Sequence, residues 1–318
     1  MTNLGAAAGA QSARVRGRRG IRSAAVVGAV VLLLALAAGL RLVLERRFDA
    51  GERDPRAAYI PSGPLLRRAA LSFDPLLADV FWIRAVQRYG RARLAGGGAG
   101  RYEDLQPLLD AATTLDPRFD AAYRTGAIFL AEPPPNGPGR PDQALALLEK
   151  GARAMPERWE YPYDMAFIHY WWLRDYRAAA DWFQRAAEVP GSPWWLPPLA
   201  ANTFAIGGNR NSSRTLWRRL HETSGSAWVR SEARRRLLQL EALDEIEQLA
   251  REVDRFSRRE GRPPSAWRDL PAAGPGGAAP RDPAGHPYKL ESGSGTVSIA
   301  PGSPLFPLPV EPALAAVP

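Results

Sequence analysis

The residue types that carry most enzyme chemistry are scarce in this chain and poorly placed for it. Its histidines, His169, His221 and His286, stand far apart, without the short His/Asp/Glu spacings that hold a metal ion. There is no cysteine, which excludes disulfides, thiolate metal sites and a cysteine nucleophile together. No Gly-x-Ser-x-Gly occurs. Gly96-Gly97-Gly98 joins two helical stretches, whereas a phosphate cradle follows a strand. Carboxylates are many, but none stands out as an acid–base pair. His169 falls inside a helical pattern and reads as a core or groove residue. His221 closes a helix, where an imidazole can answer the last carbonyls. His286 lies in a turn-rich tail. No catalytic residue, cofactor or metal is expected, and the chain is read as a non-enzyme.

The side chains left to carry function are those that recognise, and helices must position them. Three segments share one helical pattern: Ala144, Leu148, Gly151; Ala179, Phe183, Ala186; and Ser213, Trp217, Leu220. The second lies 35 residues after the first and the third 34 after the second. Positions i, i+4 and i+7 share one helix face. A period near 34 is the mark of a helix-turn-helix solenoid, which presents a surface instead of a reaction centre.

Residues 65–225 resemble tetratricopeptide repeats. The first helix of each unit carries a large aromatic, small residues three or four later, then another large residue: Trp82, Ala85, Val86, Tyr89; Tyr123, Gly126, Ala127, Leu130; and Tyr163, Ala166, Phe167, Tyr170. The second helices carry Leu105, Leu109, Ala112 with Pro117, then the triplets above, with Pro156 and Pro190. A fourth unit, Ala200, Ala201 and Phe204 with Ser213, Trp217 and Leu220, lacks the closing proline. The first two units carry insertions after Ala95 and at Glu132–Gly139. The resemblance implies an all-α fold, a tetratricopeptide-type helical-hairpin solenoid. It also implies a concave groove for an extended or helical partner segment. On that register the inward-facing candidates are Gln87, Arg91, Arg124, Ile128, Tyr161, Asp164, Ile168, Trp171, Trp195 and Asn202. Arg124 and Asp164 would either flank a bound segment or form an ion pair tying two units together. One member of each of the pairs Trp171-Trp172 and Trp194-Trp195 is expected at an exposed edge, because neighbours on a helix cannot share a face.

The chain ends differ from this middle. Residues 1–22 hold five arginines and no acid, and an apolar run follows. Residues 23–44 are read as a single transmembrane anchor, with Arg41 snorkelling. A signal peptide cleaved near Ala35-Leu36-Ala37 is the rival. The basic tail places the body on the far side of a bacterial inner membrane, in the periplasm. Residues 45–64 read as a tether. Residues 226–260 read as capping helices, with Leu237, Leu240, Leu243, Ile246, Leu249 and Val253 on one stripe. Residues 261–318 read as a Gly/Pro-rich linker with a small β-hairpin and an extended tail. There, Asp282-Pro283-Ala284-Gly285-His286-Pro287-Tyr288 is similar to the tail of bacterial type II secretion pseudopilins, a likeness confined to residues 282–290.

Net charge is +9, almost all arginine interleaved with Asp and Glu. That is the mark of solvated helix faces, and no nucleic-acid partner is expected. The reading is a membrane-anchored scaffold or adaptor in cell-envelope assembly or secretion, with a protein or peptide partner in the groove. The alternative is a non-catalytic subunit of an envelope enzyme, or rarely the enzyme itself.

Overall fold

Helices start in this chain where an acid, a proline or a capping side chain prepares the first turn. Asp74, Asp120 and Glu160 open α1 (Asp74–Leu94), α3 (Asp120–Ala131) and α5 (Glu160–Ile168), facing the partial positive charge of the helix N-terminus. Between them lie α2 (Leu105–Leu115) and α4 (Pro141–Ala154). Asp175, Asn209 and Ser226 cap α6 (Tyr176–Glu188), α8 (Arg210–Thr223) and α9 (Ala227–Glu260), each accepting a backbone N–H of the first turn. Pro141 and Pro197 stand in the first turns of α4 and α7 (Leu196–Ile206), where no amide hydrogen is missed. Gly261, at φ +71°, stops α9 in the left-handed conformation that favours glycine.

The computed structural model describes residues 28, 31–32, 35–36, 38–39, 66–67, 70, 72–97 and 99–309. The chain divides into two units, Met1–Ala58 and Tyr59–Pro318. In the first unit the described residues, among them Val31, Leu32 and Leu36, are helical and exposed. Among the described residues no helix is long and apolar enough to cross a membrane. The expected basic tail, most of the expected anchor at 23–44, the tether at 45–64 and residues 310–318 lie outside the described residues.

The second unit is mainly helical. Each of its helices packs on the one before and the one after, and α1 also touches α3, α2 touches α4, and α3 touches α5. The result is a solenoid-like stack. Many fingerprint positions are buried: Leu105, Leu109, Ala112, Tyr123, Ala127, Leu130, Ala144, Leu148, Ala166, Ala179, Phe183 and Ala186; Trp82, Tyr163, Phe167, Tyr170 and Leu220 are half-buried, and Val86 is exposed. Two glycines show why small residues are needed there. A Cβ on Gly126 would lie 2.7 Å from Leu109 Cδ2, and one on Gly151 would lie 2.5 Å from Tyr161 Cε1.

The capping region is one helix of 34 residues, α9. Its first half closes the stack: Ala233, Leu240 and Leu243 pack with Trp217, Ala201 and Ala205. Its second half carries a separate small core of Leu249, Val253, Phe256, Trp267, Leu270, Tyr288 and Val297. The stretch expected as a linker is therefore folded onto α9. Within it, β1 (Lys289–Leu290) and β2 (Val297–Ser298) pair antiparallel, in the region where the hairpin is expected. The expected extended tail is docked as far as it is described. Gln239, fully buried, donates from Nε2 to the carbonyls of Leu305 (2.7 Å) and Pro307 (2.8 Å).

Candidate binding face

The repeated start of α3 and α5 builds a connected polar cluster. Arg118-Phe119-Asp120 and Arg158-Trp159-Glu160 recur 40 residues apart, so successive first helices carry matching charges at the same depth. Arg124 on α3 donates from Nε to Asp164 Oδ2 on α5 at 2.6 Å and lies 3.8 Å from Asp120 one turn earlier. Arg158 reaches Asp120 at 3.3 Å and Glu160 at 3.1 Å, and the Tyr161 hydroxyl donates to Asp120 Oδ1 at 3.0 Å. Two guanidinium groups thus meet three carboxylates across α3 and α5. Burial raises the Asp164 carboxyl above the usual carboxylate range, and Arg124 beside it pulls the other way. The ion-pair reading of Arg124 and Asp164 is what the geometry displays, and both groups are still partly open to solvent.

The far end of α5 supplies an aromatic edge. There the helix widens into a π turn at His169–Leu173, and Arg174 follows in the left-handed region at φ +54°. Trp171 is 52% exposed. Its ring centroid lies 6.1 Å from that of Phe167 and 5.7 Å from that of Tyr170, with the Arg174 guanidinium 5.9 Å away. Ile128, 46% exposed on α3, adds apolar surface.

The other candidates are dispersed. Gln87 and Arg91 are exposed on α1, joined only by Arg91 Nε donating to the Gln87 carbonyl at 3.3 Å. Tyr161 and Ile168 are core residues and offer no surface to a partner, which corrects the expectation for both. The Tyr161 ring meets Tyr123 edge-on and fills the space left by Gly151. Trp195 is half-buried against Trp159 and Tyr163, and Asn202 is half-buried on α7. As expected of the pairs, Trp171 and Trp194 are the exposed members. Sequence reasoning missed Asp120, Arg158 and Glu160, although the 40-residue recurrence around them was a usable signal. It also missed Trp228, 63% exposed, whose ring meets Trp194 edge-on at 6.1 Å.

Among the described residues no three His, Asp or Glu side chains are grouped to hold a metal ion. A cleft of about 400 Å3 between α2 and α4 is lined by Gln106, Asp110, Arg140, Asp142, Gln143 and Lys150. Its ammonium is already committed. Lys150 Nζ lies 2.7–3.1 Å from the Asp110 carbonyl and carboxylate and from the hydroxyls of Thr113 and Thr114. Three N–H donors facing four acceptors tie two second helices together and leave none for a ligand. His169 is half-buried, with Nδ1 unpaired and 4.0 Å from Asp175. His221 Nδ1 lies 3.0 Å from the carbonyl of Arg230, so it answers the next helix, not its own. The 282–288 stretch is structural. Asp282 is 4% exposed and accepts from the amides of Ala284 and His286, while Tyr288 reaches Glu245 on α9 at 2.6 Å. No protein-family model matches this chain, and no curated protein matches it.

Proposed function

We propose that this protein is a membrane-anchored scaffold of tetratricopeptide type that binds a segment of a partner protein on its α3/α5 face. Its setting in this reading is cell-envelope assembly or secretion at a bacterial inner membrane. One observation carries the reading: many small and large residues of the repeat pattern are buried between stacked helices, while Ile128 and Trp171 are exposed and Arg124 is partly so. A stack of this kind gains stability from neighbour contacts and leaves one face free to vary. Here α3 and α5 offer ionic groups held in fixed geometry and, at the far end of α5, an exposed indole, which suits recognition of a segment with both polar and apolar side chains. The anchor is supported by the arginine-rich start and the uncharged run from Ala24 to Leu40.

The test is comparative affinity purification of the full chain from its own membranes after chemical cross-linking. A protein recovered with the wild type and lost with both Trp171→Ala and Ile128→Ala supports the face. Equal recovery with both variants excludes it. A reporter fused after Pro318 checks the orientation: activity confined to the cytoplasm would reverse it.

A further inference from the structure

The opposite end of the stack carries an uncovered seam. Six of the twelve exposed large apolar side chains described in the second unit belong to α1 or the residue before it: Phe73, Leu76, Val80, Ile83, Val86 and Leu94. The buried face of α1 is Ala78, Phe81, Ala85, Tyr89 and Ala92. At 3.6 residues per turn the exposed set lies on the far side of the helix from it, so α1 is apolar on two opposite faces. An exposed apolar stripe of that length is the kind of surface one helix buries against another.

The spacing agrees. Phe73, Leu76, Val80, Ile83, Gln87, Gly90 and Leu94 alternate steps of three and four residues without a break. That is a heptad seam spanning the whole helix, the pattern one helix offers another. Phe73, Val80, Gln87 and Leu94 take the a positions; Leu76, Ile83 and Gly90 take the d positions. A β-branched Val80 at a, with Leu76 at d, suits a two-stranded pair, the β-branched Ile83 at d departs from that rule, and a lone polar residue at a, Gln87, fixes register. The flanking charges choose the orientation. Asp79 falls at g and Arg84 at e, both are exposed, and neither has an ion-pair or hydrogen-bond partner among the described residues. In a parallel pair each g residue faces the e residue five positions on in the other helix, so Asp79 of each copy meets Arg84 of the other. An antiparallel pair would instead set Arg84 and Arg91 of one copy beside those of the second.

We propose that α1 pairs in parallel and in register with α1 of a second copy of this chain, along Leu76, Val80, Ile83 and Gln87, with Asp79 and Arg84 exchanged across the seam. The inference stands apart from partner binding on the α3/α5 face and is tested separately from it.

Because the chain has no cysteine, one substitution supplies its only thiol. The full chain carrying Gln87→Cys is oxidised in its own membranes. A disulfide-linked dimer of two identical chains is expected, with Arg255→Cys, an exposed site on α9, staying monomeric. In the Gln87→Cys background, Asp79→Arg or Arg84→Asp alone should lower the dimer yield several-fold. The two together should restore it to within about twofold of the starting value. Any of three results overturns the proposal: no more dimer at Gln87→Cys than at Arg255→Cys; a thiol at position 87 that reacts only with a membrane-partitioned reagent, which would make lipid the occupant; or a charge swap that fails to restore the dimer.

Discussion

Replacing Gly151 by alanine isolates the packing that makes this stack possible. The added methyl carbon would sit 2.5 Å from Tyr161 Cε1 and 3.0 Å from both Tyr161 Cζ and Tyr123 Cγ. Ordinary carbon contacts lie near 3.5–4.0 Å, so a ring must move by about 1 Å. Neither ring is free to do so. Tyr161 and Tyr123 are fully buried, the first held to Asp120 at 3.0 Å and the second to the Thr113 carbonyl at 3.2 Å. Overpacking of this kind costs about 1–3 kcal/mol, whereas alanine gains about 1 kcal/mol over glycine in a helix interior. Rigid surroundings favour the upper half of the cost, leaving a net loss of about 1–2 kcal/mol. For a body of this size that is a fall in Tm of about 2–8 °C. Gly90, in α1, meets nothing within 4 Å, so Gly90→Ala should be neutral or stabilising by up to about 1 kcal/mol. Thermal unfolding of the full chain in detergent, followed by tryptophan fluorescence, compares the two. If Gly151→Ala melts at or above the wild-type temperature, α4 does not approach α5 as described.

The ion pair between repeats should be measurable as a coupling: Arg124→Ala is expected to cost about 1–2 kcal/mol, since it strands Asp164, and less when Asp164→Ala is already present, as a double-mutant cycle of urea midpoints would read. Burial lowers the His169 imidazole below its ordinary value of 6.5, and the nearby Asp175 only partly opposes this. The folded state then binds fewer protons than the unfolded one below that pH. Stability from this site is full above about pH 6.5 and is lost as pH falls toward the lower folded value. His169→Gln should flatten a plot of Tm against pH in that window, and an unchanged slope would refute the assignment. Tyr288→Phe removes the hydroxyl that donates to Glu245 at 2.6 Å. It should make residues 261–309 more sensitive to limited proteolysis while leaving the repeat stack protected.

Much of the stack was legible because its signal is steric and local. Ala144, Leu148 and Gly151, and Ala179, Phe183 and Ala186, are small or large where packing demands it, and the structure buries them. The face was less legible because it depends on phase. Tyr161 points inward because Gly151 on α4 leaves room and Asp120 on α3 accepts its hydroxyl, facts that no spacing within α5 reveals. The π turn after Ile168 adds a residue to the turn, so Trp171 emerges while Ile168 stays inside. The C-terminal region misled by composition. Its prolines and glycines look like a linker, yet Trp267, Leu270, Tyr288 and Val297 are spaced across it to meet Leu249, Val253 and Phe256 of α9. Gln239 likewise reads as an ordinary polar residue of α9, until the carbonyls of Leu305 and Pro307 fall within its reach.

The central claim is that the face built by α3 and α5 is where a partner sits. Site-specific photo-cross-linking in living cells addresses it most directly, with a light-activated phenylalanine analogue placed in turn at Ile128 and Trp171 and, as controls, at Arg153 on α4 and Arg255 on α9, all exposed. The account predicts one common cross-linked protein from Ile128 and Trp171 and none from the two control sites. The same protein captured equally from Arg153 or Arg255, or no product from either face position while the chain remains folded, would contradict it.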